Sequence, residues 1–128
     1  MNLTGIHHIA IICSDYKISK EFYVNLMGFP IINEVYREER DSYKLDLALP
    51  DGTQLELFSF PDAPVRPSYP EAQGLRHLAF QTPDIVEAVQ ELEGEGIKVE
   101  PIRIDEHTKR RFTFFSDPDG LPIELYES

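Results

Sequence analysis

Two side chains able to hold a metal or move a proton, a histidine and a glutamate, each occur twice in matching settings. His8 stands in Gly5-Ile6-His7-His8-Ile9-Ala10-Ile11-Ile12-Cys13-Ser14-Asp15. His77 stands 69 positions later in Gly74-Leu75-Arg76-His77-Leu78-Ala79-Phe80-Gln81-Thr82-Pro83-Asp84, with Gly, His, Ala and Asp aligned. Glu56, in Gln54-Leu55-Glu56-Leu57-Phe58, matches Glu124, in Pro122-Ile123-Glu124-Leu125-Tyr126, at an offset of 68. A carboxylate flanked by leucine or isoleucine in a buried-looking strand is costly unless it is paired or bound to a metal. Here that cost is incurred twice. Two imidazoles and two carboxylates make a nitrogen/oxygen donor set for a divalent first-row ion such as zinc, nickel, cobalt, iron or manganese. The two carboxylates balance its charge, and a six-coordinate ion would keep two positions for water or substrate, as catalytic rather than closed sites do. Taken singly, a strand histidine is more often a core or surface residue, and a strand glutamate more often faces solvent. A duplicated fold, however, needs its apolar pattern and turns kept, not a polar pair in each half.

The elements that must position these residues also repeat. Ile6 to Cys13 is β-branched and reads as a buried strand. Asp15 suits a helix N-cap, and Ile18, Phe22 and Leu26 form an apolar stripe ending near Gly28. Residues 30–38 and 43–49 read as strands around the polar turn 39–42, and 53–60 as a third after the turn Pro50-Asp51-Gly52. Residues 61–73 hold four prolines and little periodicity, the mark of a linker. The order then recurs: strand 75–81, a helix with Pro83 in its first turn and Ile85, Val89 and Leu92 on one face, then strands 97–102, 110–116 and 121–126. Pro118-Asp119-Gly120 repeats the earlier turn. The expectation is one α+β domain over 1–128, built of two βαβββ modules at 5–60 and 74–127.

A chain of 128 residues with 41% hydrophobic content is long enough for one ordinary core or two small ones. The net charge of −11 argues against nucleic acid as partner. Apolar runs are too short to span a bilayer, no signal peptide is evident, and the lone Cys13 forms no intrachain disulfide. A cytoplasmic protein acting on a small molecule is expected.

Other polar residues carry weaker signals. His7 points away from His8 if the strand is regular. His107, in Asp105-Glu106-His107-Thr108-Lys109, is expected in a solvated loop. Arg37, Arg40, Arg66, Arg76, Lys109, Arg110 and Arg111 are candidates for an anionic substrate tail. Arg111 leads them because it shares a strand face with Thr113 and Phe115. Cys13 reads as a small buried hydrophobe rather than a nucleophile.

With these residues in hand, the chain resembles the vicinal oxygen chelate superfamily, and within it the glyoxalase I-like proteins. The resemblance covers nearly the whole chain. It rests on His8 followed by Asp15, Glu56 in Leu-Glu-Leu, His77 in Arg-His-Leu-Ala-Phe, and Asp117-Pro118-Asp119-Gly120 leading to Glu124. It implies paired βαβββ modules forming a cupped, barrel-like mixed sheet around a divalent metal held by His8, Glu56, His77 and Glu124. It also implies a homodimer, since several relatives are domain-swapped and draw ligands from two chains. Extradiol dioxygenases and fosfomycin-modifying enzymes use three protein ligands, two histidines and a glutamate. Glu56 supplies a fourth, as in bacterial glyoxalase I, whereas methylmalonyl-CoA epimerases carry glutamine there. Ile12 stands where glyoxalase I has an arginine for glutathione, so the resemblance does not extend to glutathione as the thiol.

The implied activity is that of a metal-dependent lyase or isomerase of the glyoxalase I type. It would pass through a metal-chelated enediolate, acting on an α-oxo aldehyde–thiol adduct or a similar oxygenated substrate. Glu124 is the first choice of base, with Glu56 next by pseudo-symmetry. Two rival readings are an acyl-CoA epimerase of the methylmalonyl-CoA type and a non-catalytic small-molecule or metal-binding protein.

Overall fold

Each sequence copy lies in its own compact unit. In the computed structural model, which describes residues 1–128, the units are Met1–Val65 and Arg66–Ser128, so the boundary falls inside the proline-rich segment. The first unit contains β1 (His8–Cys13), α1 (Tyr16–Lys20), β2 (Ile31–Arg37), β3 (Ser42–Ala48) and β4 (Gln54–Ser59). The second contains β5 (Leu78–Thr82), α2 (Ile85–Gly94), β6 (Arg103–Ile104), β7 (Arg111–Ser116) and β8 (Pro122–Glu127). The sheet orders are β1-β4-β3-β2 and β5-β8-β7-β6. In each, the first strand lies parallel to the last and the remaining pairs are antiparallel. This is the expected α+β architecture of two βαβββ modules with mixed sheets.

The alternation of side chains explains which face carries what. In the first unit Cys13, Leu45, Leu47, Leu55 and Leu57 are buried together with Phe22 and Tyr23 of the helical segment. Full burial of each leucine contributes about 1.5–3 kcal/mol. The opposite face carries His8, Ala10 and Ile12 on β1, Glu56 and Phe58 on β4, and Lys44 and Asp46 on β3. In the second unit Ile85, Leu92, Thr113, Phe115, Ile123 and Leu125 are buried, while Glu124, Tyr126, Phe112 and Phe114 share the other face.

The recurring aspartates are structural. Asp15 Oδ1 accepts from Ile18 N at 3.2 Å and Asp84 Oδ1 from Glu87 N at 3.0 Å, each capping a helix. Asp117 Oδ1 accepts from Asp119 N and Leu121 N, closing the turn that aims β8. Gly120 in that turn sits at φ +81°, a conformation that favours glycine.

Three local expectations change. After α1 the chain continues as a π-helical segment, Glu21–Leu26. The buried stripe falls on Ser19, Phe22 and Tyr23 at i, i+3 and i+4, which leaves Ile18 at its edge and 56% exposed. Residues 97–102 form no ladder; the paired strand is only Arg103–Ile104. Pro101 has no N–H to give, and the segment is tied to β7 by Glu100 N donating to Phe114 O and Thr113 Oγ1 donating to Glu100 O. Pro83 precedes the N-cap of α2 instead of lying in its first turn.

Candidate metal centre

His8 opens β1 and lies in register with Gln54, so that Ala10 lies beside Glu56 in the parallel β1–β4 pair. The short alanine side chain leaves room between the two donors on that face. His8 Nε2 stands 3.6 Å from Glu56 Oε2. The second unit repeats the device: Ala79 lies beside Glu124, and His77, immediately before β5, places Nε2 3.0 Å from Glu124 Oε2. Both glutamate side chains are 13% exposed, so both carboxylates are largely withdrawn from water. Each module thus brings its own histidine and glutamate together, and no group of three or more His, Cys, Asp or Glu is placed to hold a metal ion.

These separations suit a shared ion. Donors about 2.0–2.2 Å from one first-row metal stand about 3.0 Å apart at a right angle and about 3.4 Å apart at a tetrahedral angle. The His77–Glu124 separation matches the first value, and His8–Glu56 lies a few tenths of an ångström beyond the second. Nε2 faces the carboxylate in both modules, and an imidazole with a carboxylate is a nitrogen/oxygen donor pair suited to a divalent first-row ion.

The surroundings of the two pairs differ. His8 Nδ1 lies 3.0 Å from His7 Nδ1, so one ring donates to the other. His7 therefore reaches round to His8, although its backbone position alternates away from it. His77 packs edge-on against Phe114 at 5.1 Å, and its Nδ1 is buried without a partner. Lys44 Nζ binds Asp46 Oδ1 at 2.7 Å and stands 4.0 Å from Glu56 Oε1. No cation takes the corresponding place beside Glu124.

Arg111 lies elsewhere. It faces the same side as buried Thr113 and Phe115, opposite Glu124, and its guanidinium holds Glu127 through two bonds of 2.8 Å. Thr113 and Phe115 pointed to a shared face; that face is the packed one. Glu127 also accepts from Ile85 N at 3.2 Å, so the pair anchors the start of α2. Hydrogen bonding from Arg111, then from Ile85, holds the Glu127 carboxyl below its ordinary value of 4.5. Stability from a depressed carboxyl is present above its unfolded pKa and lost as pH falls through the folded one. Glu127→Gln is therefore expected to lower Tm at pH 7 and to flatten the decline of Tm with acidification below about pH 4.5; thermal melts across pH 2–7 measure both. An unchanged acid limb would remove Glu127 from this role.

Cys13 is buried, with its thiol directed to Phe58 O at 3.4 Å. His107 lies in an exposed turn, its backbone N–H on Asp105 Oδ1. Two groups near the pairs escaped sequence reasoning. Arg103 Cζ lies over Phe112 and Phe114 at 5.1 and 5.8 Å, and Lys44 flanks Glu56. Counting by twos along β3 and β4 would have put Lys44 on the face of Glu56. Arg103 was hidden by the shortened β6.

A separate hollow on the helix side of β2 is lined by Asp15, Tyr16, Lys17, Lys20, Glu34, Tyr36 and Tyr43. Its polar groups satisfy one another: Tyr16 and Lys20 both donate to Glu34, and Tyr16 stacks on Tyr43. Burial, reinforced by Glu34, pushes the Tyr16 phenol well above its ordinary value.

Residues 5–125 match the family described as the glyoxalase/bleomycin resistance protein/dioxygenase superfamily. The chain belongs to that superfamily. It is 63% identical over 127 residues to YwkD of Bacillus subtilis, with 99% of each chain covered, and 59% identical to YaeR of Escherichia coli, with 99% and 98% covered; both carry the name "uncharacterized protein". A crystal structure of a glyoxalase family protein from Enterococcus faecalis superposes with a TM-score of 0.91 at 49% identity, covering 99% of this chain and all of that one. No helix is long and apolar enough to cross a membrane.

Proposed function

We propose that the protein is a metal-dependent lyase or isomerase of the glyoxalase I type. In this reading His8, Glu56, His77 and Glu124 together hold one divalent ion, and the active form is a homodimer. The observation that carries it is the same pairing made twice: histidine Nε2 against a glutamate oxygen, at 3.6 and 3.0 Å, in each module of a superfamily member. The bound ion would supply Lewis-acid polarisation of two neighbouring substrate oxygens. Its removal by a chelator would end activity.

The rest falls to the chain. Glu124 is the base, taking a carbon-bound proton next to the polarised oxygen and returning it to the adjacent carbon. Glu56 is the lesser base because Lys44 Nζ stands 4.0 Å from its Oε1 and occupies the side from which a substrate proton would be taken. His77, with Nε2 3.0 Å from Glu124 Oε2, would stand beside the base as a donor to the same ion. Ala10 and Ala79 leave the faces beside the glutamates open to substrate. Ile12, 56% exposed and in register with Phe58, offers an apolar surface where an arginine would hold glutathione. The thiol partner is accordingly another thiol.

The test is turnover by metal-loaded protein of hemithioacetals formed from α-oxo aldehydes and a panel of thiols, run beside solvent-deuterium exchange at the α-carbon of acyl-CoA thioesters. Isomerisation of a hemithioacetal supports the lyase. Exchange on the thioester alone replaces it with an epimerase, and metal-free protein with no affinity for any ion leaves a small-molecule-binding role.

A further inference from the structure

We propose that Arg37, with Arg40 beside it, forms an anion subsite on the same face as the His8–Glu56 pair, and that the substrate carries a carboxylate or phosphate joined to its reacting end by an apolar spacer. This deepens the lyase reading and takes from it only the location of the reacting end. Arg37 ends β2 opposite Ser42, which places it on the face of Lys44 and Glu56. Its Cζ lies 5.0 Å from the Phe58 ring centroid and 5.7 Å from that of Phe60. Arg40 Cζ lies 5.2 Å from the same Phe60 ring. Two guanidiniums thus converge on one phenyl ring in a protein of net charge −11.

Neither has a carboxylate. Arg37 donates to Ser42 Oγ at 2.9 Å, and its Nε is buried without any acceptor. A buried unsatisfied donor on a charged group is costly, and converging like charges add to that cost. A bidentate oxyanion on the guanidinium would offset the charge of both arginines. The second module shows the alternative. Arg103 lies over Phe112 and Phe114 in the same manner, but its Nη2 binds Glu100 Oε1 at 3.0 Å. Where a chain carboxylate is supplied, the stacked arginine takes it; at Arg37 that place is left to a ligand.

The spacing sets the substrate's form. Ile12 and Phe58 lie two residues along their strands from Ala10 and Glu56, about 7 Å. The ligand therefore passes from the metal-binding pair across Ile12 and Phe58 to Arg37.

The test uses full-length, metal-free protein and inorganic phosphate or malonate as probes, followed through the Nε–Hε signals of arginine in ¹H–¹⁵N spectra. A saturable shift of the Arg37 signal is expected. Arg37→Gln should weaken binding by about tenfold or more, Arg37→Lys should weaken it less, and Arg103→Gln should leave it intact. Dispersed backbone spectra confirm folding of each variant. Absence of saturation, or equal binding by Arg37→Gln, overturns the subsite. Because no metal is present, that result leaves the lyase reading standing, and a failed metal titration leaves the subsite standing.

Discussion

Replacing His77 by alanine is expected to cost more metal affinity than any other single change in the chain. Loss of a residue that merely orients a ligand costs about 10–100-fold, and loss of a donor exceeds that. His77 is the better placed of the two histidines. Its Nε2 lies 3.0 Å from Glu124 against 3.6 Å for His8 and Glu56, and its side chain is less exposed. His8→Ala should therefore lower affinity as well, by a smaller factor. Neither change should move the stability of metal-free protein by more than about 1 kcal/mol, because both pairs are partly exposed. Competition with a chromophoric chelator measures the affinities and thermal melts the stability. A His77→Ala protein that binds as tightly as wild type would remove His77 from the ligand set.

The second large effect is expected from Glu124→Gln. The amide keeps the size of the carboxylate and an oxygen toward the metal position, but it takes no proton from carbon. Turnover should fall by about 10²–10⁴-fold, the usual contribution of a positioned general base, while metal affinity falls less than in His77→Ala. Glu56→Gln should lose affinity with a smaller loss of turnover. The asymmetry comes from Lys44, which stands 4.0 Å from Glu56 and has no counterpart at Glu124. Steady-state rates at saturating metal, with solvent-deuterium incorporation into product, separate the two roles. Equal turnover losses would make the carboxylates equivalent, and full turnover by Glu124→Gln would assign the base elsewhere.

Much of this was legible in the sequence because the duplication acts as an internal alignment. His8 with His77 and Glu56 with Glu124 stood out as polar residues recurring in apolar strands, and each histidine lies beside its own module's glutamate. What the sequence hid follows from local departures from periodicity. The packed face of the first helical segment runs through Ser19, Phe22 and Tyr23, and a serine is passed over by an apolar count, so Ile18 points to water while Tyr23 is buried. Pro101 shortened the strand expected at 97–102, and with it went any signal that Arg103 stacks on Phe112 and Phe114. Arg111 was misplaced for a different reason: alternation put it correctly with Thr113 and Phe115, but only packing shows that this face is the covered one. The His7–His8 contact depends on side-chain rotation, which strand parity does not set.

In the proposed site the two histidine–glutamate pairs act on one ion. Titration of metal-free protein with cobalt(II) or zinc, with bound metal counted per chain by elemental analysis, tests it most directly. One ion per chain at saturation is expected, with affinity lost on replacing either His8 or His77. Two ions per chain, or one that survives removal of a whole pair, would show that the pairs work separately and would contradict it.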